Sequence, residues 1–124
     1  MNLLYVAIGG AIGASLRHLS GIAAMRLLGH AFPWGTLFVN ITGSLVMGLF
    51  IAWMTNRTGV SQELRLFIAT GILGGFTTFS AFSLDVANLV ERGEVTGAAG
   101  YILASLILSV AAVFVGLWFG RSML

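Results

Sequence analysis

The sequence predicts an all-α membrane protein of four transmembrane helices, the third of them broken near its middle. Three observations predict it. Of the 124 residues, 58% are hydrophobic and only 8% are charged, whereas soluble domains carry about 25% charged residues. Polar breaks divide the chain into four apolar segments, each long enough to cross a ~30 Å hydrocarbon core, which takes ~20 helical residues. The third segment also gathers glycines, threonines and serines at its centre, poor material for a continuous helix alone in lipid. So few charges cannot keep the surface of a short soluble domain hydrated, and the excess apolar area requires lipid as its solvent.

The elements follow in order. The first span is expected over about 3–28; Gly9, Gly10 and Gly13 interrupt its apolar run and no basic stretch precedes it, so it reads as a retained helix rather than a cleaved signal peptide. The second, about 33–54, opens on Pro33, which suits a first helical turn. The third, about 64–90, follows Ser61-Gln62-Glu63, a helix-start pattern. The fourth, about 95–119, follows Glu91-Arg92-Gly93-Glu94. Residues 1–124 thus form a single four-helix transmembrane domain with no soluble domain, linker or internal repeat. Small residues recur four apart at Gly9/Gly13, Ser44/Gly48, Gly71/Gly75 and Gly116/Gly120; such pairs let helix backbones approach closely in lipid.

Charge excludes several function classes. There is no cysteine, hence no disulfide framework, thiol nucleophile or zinc cluster. Six arginines against four acids are too sparse for a nucleic-acid footprint. Arg57, Arg65 and Arg121 fall on one side of a four-span chain, Arg26 and Arg92 on the other, with Arg17 inside the first span. The positive-inside rule therefore gives no clear orientation. Either the protein inserts both ways and pairs as an antiparallel dimer, or a small protein merely has a weak bias.

The third span carries the unusual chemistry. As one helix it would be ~40 Å long, and its centre reads Gly74-Gly75-Phe76-Thr77-Thr78-Phe79-Ser80-Ala81-Phe82-Ser83. Helices broken in mid-membrane commonly coordinate ions through unwound backbone. Phe76, Phe79 and Phe82 are spaced by three; this is a packing stripe, or a row of rings whose positive edges can face a desolvated anion. Thr36, Asn40 and Ser44 lie four apart on the second helix, as do Tyr101, Ser105 and Ser109 on the fourth, so each set follows one face. Such lines are interhelical glue or the wall of a path. Only Asp85 among the acids lies within a span, and a cation pore calls for carboxylate rings or a carbonyl filter. Hydroxyls, an amide and ring edges favour an anion. Arg17, costly in mid-membrane, is expected to face water or a partner.

These residues resemble a known family. The third-span run Gly74–Ser83 is similar to the signature of the CrcB/Fluc fluoride channels. Pro33-Trp34-Gly35-Thr36-Leu37-Phe38-Val39-Asn40 resembles their second-helix motif, Gly13-Ala14-Ser15-Leu16-Arg17 their first-helix segment, and Tyr101, Ser105 and Ser109 their fourth-helix polar track. The resemblance implies an antiparallel, dual-topology homodimer in the bacterial inner membrane, with two pores that pass fluoride passively out of the cell and lower its toxicity. It implies that Phe79 and Phe82 face fluoride with Asn40 donating nearby, that Tyr101, Ser105 and Ser109 line the path, and that Arg17 sits in a vestibule. It further implies a structural sodium ion at the dimer centre, held by the backbone carbonyls of Gly74 and Thr77. Ala81, where the family often has threonine, and Val113, which ends the fourth-helix polar stripe, depart from the pattern.

Rival readings fit less well. A small four-helix drug exporter needs an early intramembrane glutamate, and no acid precedes Glu63. A purely structural subunit leaves both polar stripes unexplained. An enzyme would need an acid–base pair that two histidines and Asp85 do not supply by spacing.

Overall fold

The computed structural model describes residues 2–123. Helix α1 (Asn2–Leu28) and helix α2 (Trp34–Thr55) are continuous. The third span, Gln62–Glu91, is divided into α3 (62–76) and α4 (Phe79–Glu91), and α5 (Val95–Met123) completes the bundle. All four spans are long and apolar enough to cross a bilayer; α2, the shortest at 22 residues, measures ~33 Å at 1.5 Å per residue.

Local chemistry sets the ends. Gly29 takes a positive φ of 84° after α1, and its N–H donates to Met25 O at 3.0 Å. At the end of α4, Gly93 takes φ 80°; its N–H bonds Val90 O at 3.0 Å while Glu94 N–H reaches back to Leu89 O at 2.8 Å. That paired closure is a Schellman motif, which needs a residue without Cβ at the left-handed position. Ser61 caps α3 by accepting the Leu64 N–H at 3.1 Å. The fourth helix runs past the expected end at about 119, to Met123. Hydropathy falls there, but no proline or cap stops the backbone, and Ser122 bonds back to Trp118 O at 3.0 Å.

Small residues decide which helices touch. Gly9 and Gly13 of α1 lie against Gly71, Ile72 and Phe76 of α3; a Cβ on Gly13 would meet backbone of both Ile72 and Phe76. Gly48 of α2 and Gly116 of α5 meet in the same way, backbone to backbone, and α2 with α5 and α1 with α3 are the two most extensive contacts of the bundle. Dispersion between closely approached backbones replaces the hydrophobic drive that lipid removes. Leu37, Phe82, Leu89, Ala98 and Tyr101 form the buried core where α2, α4 and α5 converge.

One feature has no sequence signal. Leu66–Leu73 is wound as π-helix rather than α-helix, a wider coil uncommon at this length. It lies where Gly71 packs on Gly9 and is joined to the break by the short α-helical stretch Gly74–Phe76.

Candidate functional site

The break falls at Thr77 and Thr78, whose backbones are extended at φ −89°, ψ 157° and φ −154°, ψ 123°. Two β-branched residues in succession favour that conformation. Breaking a helix in mid-span frees backbone groups that lipid cannot satisfy. Asn40, facing from α2, supplies the partner: its Nδ2 donates to Thr78 O at 3.1 Å and its Oδ1 accepts from Thr78 N at 2.8 Å. The side-chain amide thus pairs with Thr78 as a neighbouring strand would. Thr78 Oγ1 accepts the Ala81 N–H at 3.1 Å and so caps α4. Thr77 turns back, with both its N–H and its hydroxyl donating to Leu73 O. Arg17 Nε donates to Gly75 O at 3.1 Å. The carbonyls of Gly74 and Thr77 receive no hydrogen bond among the described residues.

Beside the break lies an inner cavity of about 460 Å³. Asn40 and Ser44 of α2, Thr77 and Thr78 of the break, Phe79 and Phe82 of α4, and Ser105 and Ser109 of α5 border it. No ionisable side chain does so among the described residues. The Ser105 and Ser109 hydroxyls are buried there without a hydrogen-bond partner. Phe82 is buried, 8% exposed, whereas Phe79 is 73% exposed; their ring centroids are 5.4 Å apart. An outer cavity of about 420 Å³ holds Arg17, His18, His30, Asp85 and Arg92, and Thr78 borders both.

Six of the residues singled out in the sequence therefore meet at or beside one hollow: Asn40, Phe79, Phe82, Ser105, Ser109 and Thr77. Gly74 borders it too, and Arg17 lies in the outer cavity. Tyr101 does not join them. It is fully buried, packs on Phe82 at 5.1 Å and edge-on to Phe32 at 5.4 Å, and its hydroxyl donates to Asp85 Oδ2 at 3.0 Å. The four-residue spacing placed it on the right face of α5, but the length of its ring carries the hydroxyl past the cavity to a carboxylate. Sequence reasoning missed the Asn40–Thr78 pairing; the adjacent threonines were the available signal for where the break falls. No group of three or more His, Cys, Asp or Glu side chains able to hold a metal occurs among the described residues; the oxygens at the break are backbone carbonyls, the Thr77, Thr78 and Ser80 hydroxyls and the Asn40 amide.

The fold and cavity define a multi-pass membrane protein with a broken helix and, beside the break, a hollow that combines hydroxyls and an amide with apolar side chains and has no ionisable side chain among the described residues. The chain belongs to the CrcB-like family (CrcB-like protein, Camphor Resistance), which it matches over residues 4–117. Its curated relatives include the Fluoride-specific ion channel FluC of Mesorhizobium japonicum, 59% identical over 122 residues that cover 98% of each chain. The proteins of the same name from Chelativorans sp. and Agrobacterium fabrum are 58% and 55% identical, each over 99% of this chain and 98% of the relative.

Proposed function

We propose that this protein is a fluoride-selective channel, not an enzyme, that passes the ion passively out of the cytoplasm across the bacterial inner membrane. The observation that carries the reading is the pair of buried, unpartnered hydroxyls of Ser105 and Ser109 in a cavity free of ionisable side chains. Buried polar groups are ordinarily hydrogen-bonded, so two donors left open in one hollow suit a ligand that accepts. A hydroxyl rotates freely and can turn its proton toward an anion. Fluoride, small and strongly hydrated, crosses only if such groups replace its waters, and the positive edges of Phe79 and Phe82 add to that stabilisation. Asn40 has one N–H left after pairing with Thr78. Arg17, with two guanidinium nitrogens not bonded to Gly75, draws anions into the outer cavity. The absence of carboxylates from the inner cavity excludes the usual attraction for cations. The FluC relatives support the choice of fluoride among anions.

The working unit is an antiparallel homodimer. Gly74, Phe79, Ser80 and Ser83 at the break are exposed on a single copy; the Ser80 and Ser83 hydroxyls bond Thr78 Oγ1 and Phe79 O, but an open backbone carbonyl such as that of Gly74 is not tolerated against lipid. A second copy lying across the break covers the exposed Gly74 and Phe79 and closes the cavity beside Phe79. The near-even arginine distribution between the two ends permits opposite insertion. A sodium ion suits the centre of such a pair: the carbonyls of Gly74 and Thr77 accept no hydrogen bond among the described residues, and oxygen ligands suit a hard cation. With the same two carbonyls from the second copy they would hold it, and the ion supplies the positive charge that ties the two breaks together.

Fluoride release from liposomes tests the function. Purified protein in vesicles loaded with potassium fluoride is expected to release fluoride rapidly on addition of valinomycin, and to release no chloride from matched vesicles. Equal release of both anions would remove the selectivity, and no fluoride release from folded protein would remove the channel.

A further inference from the structure

At the end of the bundle carrying the α2–α3 connection, Arg57, Arg65 and Arg121 stand against a single carboxylate, Glu63; at the opposite end Arg26 and Arg92 are matched by Glu91 and Glu94. The ion pair between Arg92 and Glu94 is the only one among the described residues, so Arg57 and Arg65 have no carboxylate partner. They border one hollow of about 560 Å³ between the end of α2 and the start of α3, and Glu63 does not line it. The Arg57 guanidinium lies 4.8 Å over the ring of Trp53, which stacks on Phe50 at 5.9 Å; a cation held on an aromatic face loses little freedom when it binds an anion. The lining divides by chemistry. Ile51, Met54 and Leu66 are apolar, whereas Thr55, Arg57 and Arg65 are polar.

We propose that this hollow binds the phosphate of an anionic phospholipid headgroup between Arg57 and Arg65, with the glycerol and first acyl carbons along Ile51, Met54 and Leu66. A water-soluble phosphate would leave the apolar half of the lining unused, whereas a lipid fills both halves. The position matches: the hollow lies at the end of an apolar span beside a tryptophan, where headgroups and aromatic anchors meet. Two unpaired arginines favour an anionic over a zwitterionic lipid, each adding about a fivefold preference. The site lies apart from both cavities at the break and does not depend on the channel reading.

The test is lipid retention by the full-length protein purified in nanodiscs or micelles with equal phosphatidylglycerol and phosphatidylcholine, read by native mass spectrometry. The wild type is expected to retain phosphatidylglycerol preferentially, and the double variant Arg57→Gln/Arg65→Gln to lose that preference, while Arg26→Gln at the other end keeps it. Adding tens of millimolar inorganic phosphate is expected to leave the bound lipid in place. Equal retention of the two lipids by the wild type overturns the proposal without any variant. So does a preference unchanged in the double variant, or displacement by inorganic phosphate, which would make the hollow a site for the free ion.

Discussion

At the scale of single residues, the site separates groups that hold the structure from groups that await a ligand. Asn40 belongs to the first kind. Its amide satisfies both backbone groups of Thr78, and a buried group left unpaired costs about 1–3 kcal/mol. Asn40→Ala is therefore expected to lower stability by about 2 kcal/mol or more, seen as an earlier melting transition in detergent; a melting curve like that of the wild type would show that water replaces the amide at no cost. Phe82, buried against Tyr101 and Phe79, presents a ring whose edge an aliphatic chain cannot imitate. Phe82→Ile is expected to cut fluoride flux while the protein still folds, and unchanged flux in that variant would take the ring out of the path. Asn40, Ser105 and Ser109 were legible from spacing because short side chains stay close to their helix face. Tyr101 was not: where a long side chain ends depends on its partner, and Asp85 lies on another helix.

At the scale of elements, the spans were readable because hydropathy and punctuation agree, and the glycine pairs identified which faces would meet. Where backbones touch, a side chain cannot be accommodated by a rotamer change. Gly13→Leu and Gly116→Leu would drive side chains into the Ile72 and Leu45 carbonyls and are expected to cost at least the ~1–3 kcal/mol of core overpacking, measured as loss of folded protein in a denaturant titration. Gly100→Ala, which meets nothing within 4 Å, is expected to be neutral or to stabilise α5 by about 0.5–1 kcal/mol. Equal loss in both sets would contradict the assignment of helix contacts. The break was legible as a region but not as a position. Glycines and hydroxyls mark where a helix is weak, whereas the extended backbone at the adjacent β-branched Thr77 and Thr78 is held in place by Asn40, which pairs with Thr78 from α2. The π-helical segment Leu66–Leu73 has no compositional mark of its own: Gly71 and the β-branched Ile68, Thr70 and Ile72 weaken an α-helix but do not specify a wider coil.

At the scale of the whole molecule, the sequence leaves assembly open because two orientations of similar charge bias differ little in free energy. The proposed antiparallel pair makes a clear expectation. The chain contains no cysteine, so Thr58→Cys in the α2–α3 connection gives a unique label site; a membrane-impermeant reagent is expected to label about half of it from each side of the membrane under the dual-topology reading. Labelling from one side alone would contradict the antiparallel pair while leaving the cavity and its chemistry untouched.

The central claim is that the inner cavity is the fluoride path, and the most direct test compares flux with stability in Ser105→Ala/Ser109→Ala. Both hydroxyls are buried without a partner, so their removal leaves no group newly unsatisfied and is expected to change stability by less than about 1 kcal/mol. Fluoride release from liposomes is expected to fall by an order of magnitude or more in the same protein, about what the loss of two hydrogen bonds to an ion implies. Wild-type flux in the folded double variant would contradict the account and send the ion by another route.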